Sequence, residues 1–361
     1  MTAVMPARTL PSHRLDLIAH QRVHGPMPAF VGRREVIDAV AAADIRGRGG
    51  GGFPTARKLA AVRGRRTIVV ANGCESDPLS TKDRALLALA PHLVLDGIQV
   101  AAYAIGAKEA VLCLHRGSPV LEGVARALVE RDTDMVRIVE IPPYYVASEE
   151  SALVHYLTSG DARPTGKEPR PAERGMLVQN VDTLAQLALV ARLGPENYRR
   201  SRTDLVTVGG AVVEVAAGTT IGSLVGPSEA VLVGGYGGRW VPWSVAVDMP
   251  CATGLSSVYA LPSSSCGLMF TAKILARLAA ESARQCGPCM FGLPAIAQDF
   301  DELVHGVAAA ADRLARRLPL IAGRGACAHP DGAVRLATSA LAVFQYDVSA
   351  HIRTRSCGVV S

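Results

Sequence analysis

The chain has 361 residues, 49% of them apolar and 19% charged, which argues against a disordered chain and leaves room for two or three domains. Aromatic residues make up only 4%, too few for the stacking platforms that single-stranded nucleic acid requires, so no nucleic-acid partner is expected. The net charge of +6 arises from 38 basic and 32 acidic residues, and it reads either as a solvated surface or as attraction to an acidic protein partner.

No apolar run reaches the ~18 residues of a membrane span. The N-terminus lacks the charged start, apolar run and cleavage site of an export signal, so a cytoplasmic location is expected. Eight cysteines in a reducing compartment read as thiols or metal ligands rather than disulfides.

In chain order, residues 1–30 are rich in Pro and His without clear periodicity and read as an arm. Residues 34–45 have the spacing of a short amphipathic helix. A glycine-rich loop, Arg46 to Thr55, follows. Residues 67–71 predict a buried strand, 91–105 a helix, 110–114 a strand, 120–130 a helix and 136–141 a strand. Strands alternating with helices predict an α/β domain with a mostly parallel sheet. Pro164, Pro169 and Pro171 mark an irregular loop, and 181–193 predicts a helix. From 205 to about 247 the pattern changes to short strands with Gly-Gly turns, a small β module. From 272 to 352 apolar faces recur at helical spacing, a helical bundle. The divisions are 1–30 for the arm, 31–200 for the α/β domain, 201–265 for the β module and 266–361 for the bundle.

The segment Gly47-Arg-Gly-Gly-Gly-Gly52 matches G-x-G-x-x-G. The dinucleotide fingerprint requires a strand before that loop, and here a helix precedes it, so an ordinary Rossmann site is rejected. Consecutive residues without Cβ still let backbone N–H groups approach a phosphate, with Arg46, Arg48 or Lys58 available to balance its charge.

The full run Arg46-Gly-Arg-Gly-Gly-Gly-Gly-Phe-Pro-Thr55 resembles the flavin loop of the NADH-oxidising flavoprotein subunit of respiratory complex I, a family shared with bidirectional hydrogenases and NAD-dependent formate dehydrogenases. Asn72-Gly-Cys-Glu-Ser-Asp-Pro78 with Lys82-Asp-Arg84 resembles its acidic flavin motif. Tyr145-Val-Ala-Ser-Glu-Glu-Ser-Ala-Leu153 resembles its Glu-Glu helix start, and Gln179-Asn-Val-Asp-Thr-Leu184 its Asn-Val-Glu-Thr-Leu motif. The resemblance covers roughly residues 34 to 352. It implies a Rossmann-like FMN domain, a small ubiquitin-like (SLBB-type) β module and a C-terminal helical bundle.

By the same resemblance, Gly47, Arg48, Gly49 and Lys58 would hold the FMN phosphate and ribityl end, with Phe53 kept beside them. Asn72, Glu75, Glu149, Glu150 and Asn180 would meet the ring or ribityl chain, with Asp77, Tyr145 and Gln179 in the same motifs. Glu150 is the residue assigned to the catalytic step. From the residues alone, Glu149-Glu150 reads equally as an acidic pair favoured at a helix N-terminus. The chain departs from the family at Cys74 (usually Asp), Ser148 (usually Gly) and Gln179 (usually Asn). Arg170 and Ala61 stand where the family has aromatics, and Arg170 could instead pair with a 2′-phosphate and favour NADPH.

Cys286-Gly-Pro-Cys289 and the later Cys327-Ala-His329 match three of the four ligand positions of the family's [4Fe–4S] cluster; the remaining position is Ala283. A [4Fe–4S] cluster with another ligand, a [3Fe–4S] cluster, zinc and an empty remnant all stay open. His329, Ser282, water or a second protein are candidates for the fourth position. Residues 332–352 read as one helix of about twenty residues, roughly 30 Å long, which carries Cys357 away from the other cysteines. Cys74 falls on the flavin side, Cys113 reads as a buried strand residue, and Cys251 and Cys266 have no assigned role.

The resemblance implies an NAD(P)H:ferredoxin or quinone reductase-like oxidoreductase, in which electrons pass from FMN through an iron–sulfur cluster to a ferredoxin or other small carrier, in isolation or as part of a larger redox complex. A non-catalytic assembly platform and an FMN carrier that does not use nicotinamide are the rival readings.

Overall fold

The computed structural model describes residues 9–30, 32–166 and 169–355. Cys357 lies outside them. The first unit is a four-stranded parallel sheet of β1 (Ile68–Asn72), β2 (Glu109–His115), β3 (Val136–Ile141) and β4 (Met176–Asn180), in the order β3-β2-β1-β4. The central strands are buried on both faces, as parallel sheets are, which accounts for their continuous apolar runs.

The helices of this unit are α1 (Leu17–His24), α2 (Arg33–Ala42), α3 (Thr55–Ala61), α4 (Lys82–Leu89), α5 (Pro91–Ile105), α6 (Leu121–Glu130), α7 (Glu150–Ser159) and α8 (Val181–Ser201). Helix α5 starts on Pro91 and ends on Gly106 in the left-handed conformation (φ 73°), and both signals are legible in the sequence. It packs closely on α8, because a Cβ at Gly97 would lie 1.9 Å from the Leu184 carbonyl oxygen. Helix α8 is longer than its apolar run predicts and bends at Gly194, just before Pro195. No single helix among the described residues is long and apolar enough to cross a membrane; α4 and α5 together pass by composition but meet at 98°.

The arm differs from its sequence reading. It contains α1, whose buried residue is His20 rather than a row of aliphatic side chains. His20 meets Asp96 at 2.7 Å, and Asp96 also accepts from Arg131 and Arg192, so an ionic network on α5, α6 and α8 holds the arm. Hydrogen bonding from His20, with Arg131 and Arg192 close by, holds the Asp96 carboxyl well below its ordinary range against the cost of burial.

The β module is a mixed sheet of β5 (Thr203–Val208), β6 (Ala211–Ala216), β7 (Ala230–Val233), β8 (Arg239–Pro242) and β9 (Ser257–Ala260), in the order β6-β5-β9-β7-β8, with the short helix α9 (Trp243–Ala246). Gly209 and Gly210, both at positive φ, form the two-residue turn of the β5–β6 hairpin.

The bundle consists of α10 (Gly267–Ala280), α11 (Leu293–Val304), α12 (Ala308–Ile321), α13 (His329–Val343) and α14 (Gln345–Thr354). The single helix expected over 332–352 is therefore broken at Phe344. The Phe344 ring turns inward against Trp240 (5.1 Å) and fills the space over Gly267, where a Cβ would lie 2.2 Å from it. The length argument that set Cys357 aside fails with that helix. The last described turn nevertheless ends beside Gly306, where a Cβ would meet Arg355 at 2.9 Å, past the C-terminal end of α11 and opposite its Cys289 end.

Candidate functional site

Register brings the site together. Asn72 of β1 pairs with Asn180 of β4, so both amides stand at the carboxyl ends of adjacent parallel strands, where open α/β sheets bind their ligands. A cavity of about 710 Å³ opens above them, within the usual range for small-molecule and cofactor sites. Gly47, Arg48, Gly49, Phe53, Lys58, Asn72, Glu75, Asp77, Tyr145, Glu149, Glu150, Gln179 and Asn180 all line it. Arg170 and Ala61 do not line it. Arg170 caps the short turn Pro171–Arg174, its backbone N–H donating to Glu173.

The glycine loop is clamped at its base. Gly47 N–H donates to the Phe53 carbonyl at 2.9 Å, and Thr55 N–H to the Ile45 carbonyl at 2.8 Å. Its tip is open: a Cβ at Gly50, Gly51 or Gly52 would meet nothing within 4 Å, and Gly50 and Gly52 have positive φ. The loop is a fixed hairpin with a bare backbone crest facing the cavity, the geometry in which amides reach an anion.

The cations near the loop are not equivalent. Arg46 pairs with Asp44 at the surface. Arg48 is 2% exposed and points away from the loop crest, with Nη1 at 2.7 Å from Asp204 and 3.5 Å from Asp182. Its backbone N–H donates to Thr183 Oγ1. The expectation that the Arg48 side chain balances a phosphate is corrected: it anchors the loop to α8 and β5. Lys58 remains, with Nζ at 2.7 Å from Glu150.

Beneath the loop, Lys82 is buried between Asp83 (2.7 Å) and Asp182 (3.1 Å), and Asn180 Nδ2 donates to Asp83 at 2.6 Å. Burial opposes the Lys82 charge, but Asp83 and Asp182 outweigh it and push the ammonium pKa up. Burial pushes Asp83 up to about 6, with Glu75 and Asp182 adding to the effect and Lys82 opposing it.

The acids mostly serve the scaffold. Glu75 accepts from Ser80 Oγ and from the amides of Asp83 and Arg84, capping α4. Asp77 accepts from Leu79 N–H and, in the β module, from Tyr236 N–H at 2.7 Å. Glu149 caps α7 by accepting from the amides of Ser151 and Ala152, and burial raises its carboxyl pKa. Asn72 is also engaged at both ends, accepting from Cys74 N–H and donating to the Ser148 carbonyl. Gln179 differs from these: it is buried on the cavity wall, and its Nε2 has no hydrogen-bond partner. A buried donor left unpaired costs about 1–3 kcal/mol unless something accepts from it. Open glycine crest, Lys58 and unpaired amide donor together fit an anionic, acceptor-rich cofactor such as FMN.

The far wall comes from segments that the sequence reading does not assign to the site. Gly234, Gly237 and residues 252–256 of the β module line it, as does Arg335 of α13, which donates to the Gly237 carbonyl. The Gly-Gly pairs of the module read only as turns; the close contact of Gly332 with Gly237, where a Cβ would lie 3.1 Å away, appears only in three dimensions.

Cys327 and His329 line the same cavity. The His329 ring packs on Tyr145 at 5.3 Å, and its Nε2 lies 2.8 Å from the Leu278 carbonyl, which removes that nitrogen from the fourth-ligand candidates. Cys286 and Cys289 lie side by side, with Cys327 near both. Backbone N–H groups face the sulfurs, that of Ala326 towards Cys286, that of Arg284 towards Cys289 and that of His329 towards Cys327. Burial pushes Cys289 up to about 12 and Cys327 to about 11, whereas at Cys286 these hydrogen bonds outweigh burial and lower the thiol. Amide donors around sulfurs fit a thiolate-bound iron–sulfur group. Among the described residues no three Cys, His, Asp or Glu side chains converge closely enough for a single metal ion. Ser282 Oγ, next to Ala283 in the chain, is buried and has no partner. Cys74 lines the cavity as an un-ionised buried thiol, whereas Cys113 is enclosed in the sheet core.

Residues 40–189 match the Nuo51 FMN-binding domain, and residues 269–351 match the NADH-ubiquinone oxidoreductase-F iron-sulfur binding region. The second F-type NADH-quinone oxidoreductase subunit of Rhizobium meliloti (strain 1021) is 28% identical over 379 residues, spanning 90% of each chain. The F-type NADH-quinone oxidoreductase subunit of Aquifex aeolicus (strain VF5) is 30% identical over 187 residues, 46% of this chain and 44% of that one. The fold is similar to solved structures of an NAD+-reducing [NiFe]-hydrogenase. The air-oxidized state gives a TM-score of 0.83 at 25% identity over 96% of this chain and 70% of that one. The H2-reduced state gives 0.81 at 25% identity over 89% of this chain and 63% of that one. With its glycine crest, its paired strand-end amides and Cys327 on one cavity, the chain belongs to the F-type family of NADH-quinone oxidoreductase subunits, which bind FMN and an iron–sulfur cluster.

Proposed function

We propose that this chain is an NAD(P)H-oxidising flavoprotein that passes electrons one at a time through an iron–sulfur cluster to a ferredoxin-type acceptor. The observation that carries the reading is the shared wall: Cys327 and His329 line the same cavity as the glycine crest and the strand-end amides. FMN, when bound, supplies the step from hydride chemistry to single-electron chemistry.

The residues divide the work. The amides at 49–52 and Lys58 bind the phosphate end. Gln179 Nε2 gives the ring an otherwise unpaired donor. Glu150, through Lys58, keeps the ammonium at the cavity mouth. Tyr145 and His329 pack on each other at 5.3 Å and form, with Cys327, the wall of the cavity nearest the thiols. Cys286, Cys289 and Cys327 are the cluster ligands, and Ser282 Oγ is the candidate for the position left by Ala283.

The test is one absorption spectrum of protein made under iron-replete, anaerobic conditions. Flavin bands with a broad shoulder near ~400 nm, as thiolate-bound iron gives, bleached by NAD(P)H, are expected. A colourless protein would support the assembly platform instead. Flavin bands bleached only by dithionite would support a carrier that does not use nicotinamide.

A further inference from the structure

We propose that the surface over the three thiols is the docking face of a small acidic one-electron carrier, seated on Met290, Phe291 and Leu320 and steered by Arg284 and Arg324. The proposal rests on the electron path above and names the partner's chemistry and its contact residues.

Three apolar side chains stand in solvent beside the thiols. Phe291 is 72% exposed, Met290 49% and Leu320 58%. Met290 and Phe291 directly follow Cys289 in the turn Pro288–Gly292. That turn packs on the end of α12, since a Cβ at Gly292 would lie 2.8 Å from Ile321, the neighbour of Leu320. The loop after α12 faces Cys286 with the Ala326 N–H, so both segments meet over the same sulfurs. Exposed apolar groups gathered in one place mark an interaction site, and Phe, Met and Arg are the types enriched in interface cores.

The charge on this face has one sign. Segments 282–292 and 319–328 contain two basic residues, Arg284 and Arg324, and no Asp or Glu. Both arginines are exposed, and neither has an ion-pair partner among the described residues. The flanking acids turn to other partners. Glu281 pairs with Arg277 and accepts from Tyr145 N–H, and Asp331 accepts from Gly323 N–H. Arg284 is one of four non-glycine residues at positive φ (52°) among those described. Its backbone N–H faces Cys289 while its side chain remains in solvent.

An apolar centre with an uncompensated basic rim selects a partner with an acidic rim. It also disfavours a second copy of this chain, because a two-fold contact would bring like-charged rims together. Electron-transfer contacts are small and short-lived, so a patch of three apolar side chains with long-range steering is enough.

The experiment uses the FMN- and iron-loaded protein and an acidic [2Fe–2S] ferredoxin as probe, with basic cytochrome c as control. Binding is measured by calorimetry at low and high ionic strength. The expected result is ferredoxin binding that weakens with salt and no binding of cytochrome c. Arg324→Glu should weaken ferredoxin binding about tenfold and flatten the salt dependence. Phe291→Ser should weaken it without altering the salt dependence. Both variants should keep wild-type iron content and wild-type ferricyanide reduction by NAD(P)H. The proposal is overturned if both variants bind like wild type, if cytochrome c binds as tightly as ferredoxin, or if sedimentation shows Phe291 holding two copies together. Failure of the electron path is distinct: NAD(P)H then leaves the flavin unbleached while ferredoxin still docks with the stated salt dependence.

Discussion

Beneath the glycine loop every charge is buried against an opposite charge, whereas around the thiols the charges face solvent and the apolar groups are bare. Arg48, Asp182, Lys82 and Asp83 form a chain of contacts under the loop, with Asp204 and Asn180 completing it. Arg284 and Arg324 stand over the cysteines without such partners among the described residues. On the proposed reading, the loop end holds a group in place and the thiol end exchanges electrons with a carrier that leaves. The difference explains where departures from the family are tolerated. On that reading the phosphate end would bind through backbone amides, which Cys74, Ser148 and Gln179 do not alter. The thiol end would bind through side chains, and there Ala283 offers no ligand.

The largest expected effect comes from removing another thiol. Cys289→Ser or Cys327→Ser should bring iron to background, because two thiolates cannot hold the group, while FMN binding stays at the wild-type level. Iron analysis and flavin fluorescence on the same sample check it. Loss of FMN together with iron would mean that the two ends do not work separately.

Next comes Arg48→Met. Removing one member of a buried ionic set leaves Asp204 uncompensated and Asp182 with Lys82 alone, at a cost of about 3–5 kcal/mol, measured as a lowered urea midpoint. The same substitution at Arg324, on the exposed rim, should change stability by less than about 0.5 kcal/mol. Equal effects at the two positions would erase the distinction between a buried and a solvated charge set.

Lys58→Met should weaken FMN binding by about 1.5–3 kcal/mol, roughly ten- to a hundredfold, as loss of a charge-assisted hydrogen bond does. Fluorescence quenching on FMN titration reads it. An unchanged affinity would mean that the glycine amides carry the phosphate alone.

Legibility follows the same divide. Sequence signals are strong where local chemistry decides: Pro91 and Gly106 bound α5, the alternation of strands and helices predicts the parallel sheet, and the motifs name every flavin-side residue expected in the cavity. They are weak where tertiary contacts decide. Strand β4 ends in Gln179-Asn180, two amides that do not read as a buried strand until paired with β1. Helix α1 buries a histidine whose partner Asp96 lies far along the chain. The break at Phe344 has no Gly or Pro to announce it and is set by Trp240 and Gly267. Arg48 reads as a phosphate ligand because it sits in the glycine motif; nothing local reveals that Asp182 and Asp204 claim it. The β-module wall comes from residues far from the loop in sequence, joined to the acidic flavin motif by the contact of Asp77 with Tyr236.

The smallest effect separates the two ends by pH. Burial, with Glu75 and Asp182 nearby, pushes Asp83 up to about 6 against an ordinary value of 3.8. Between those values the folded chain keeps a proton that the unfolded chain releases. Stability from this group is therefore full below about pH 4 and lost as pH rises towards 6, with a slope of at most about 1.4 kcal/mol per pH unit. Asp83→Asn removes this contribution, so the urea-derived stability of wild type minus variant should fall between pH 4 and 6 and stay level above. The thiols at the other end give no slope in that window, since Cys289 at about 12 and Cys327 at about 11 remain protonated throughout in the apoprotein. A Cys327→Ser apoprotein should therefore show the wild-type pH profile. If that variant, and not Asp83→Asn, flattens the curve, the titrating charge lies at the thiol end and the loop end is not the pH-sensitive half of the cavity.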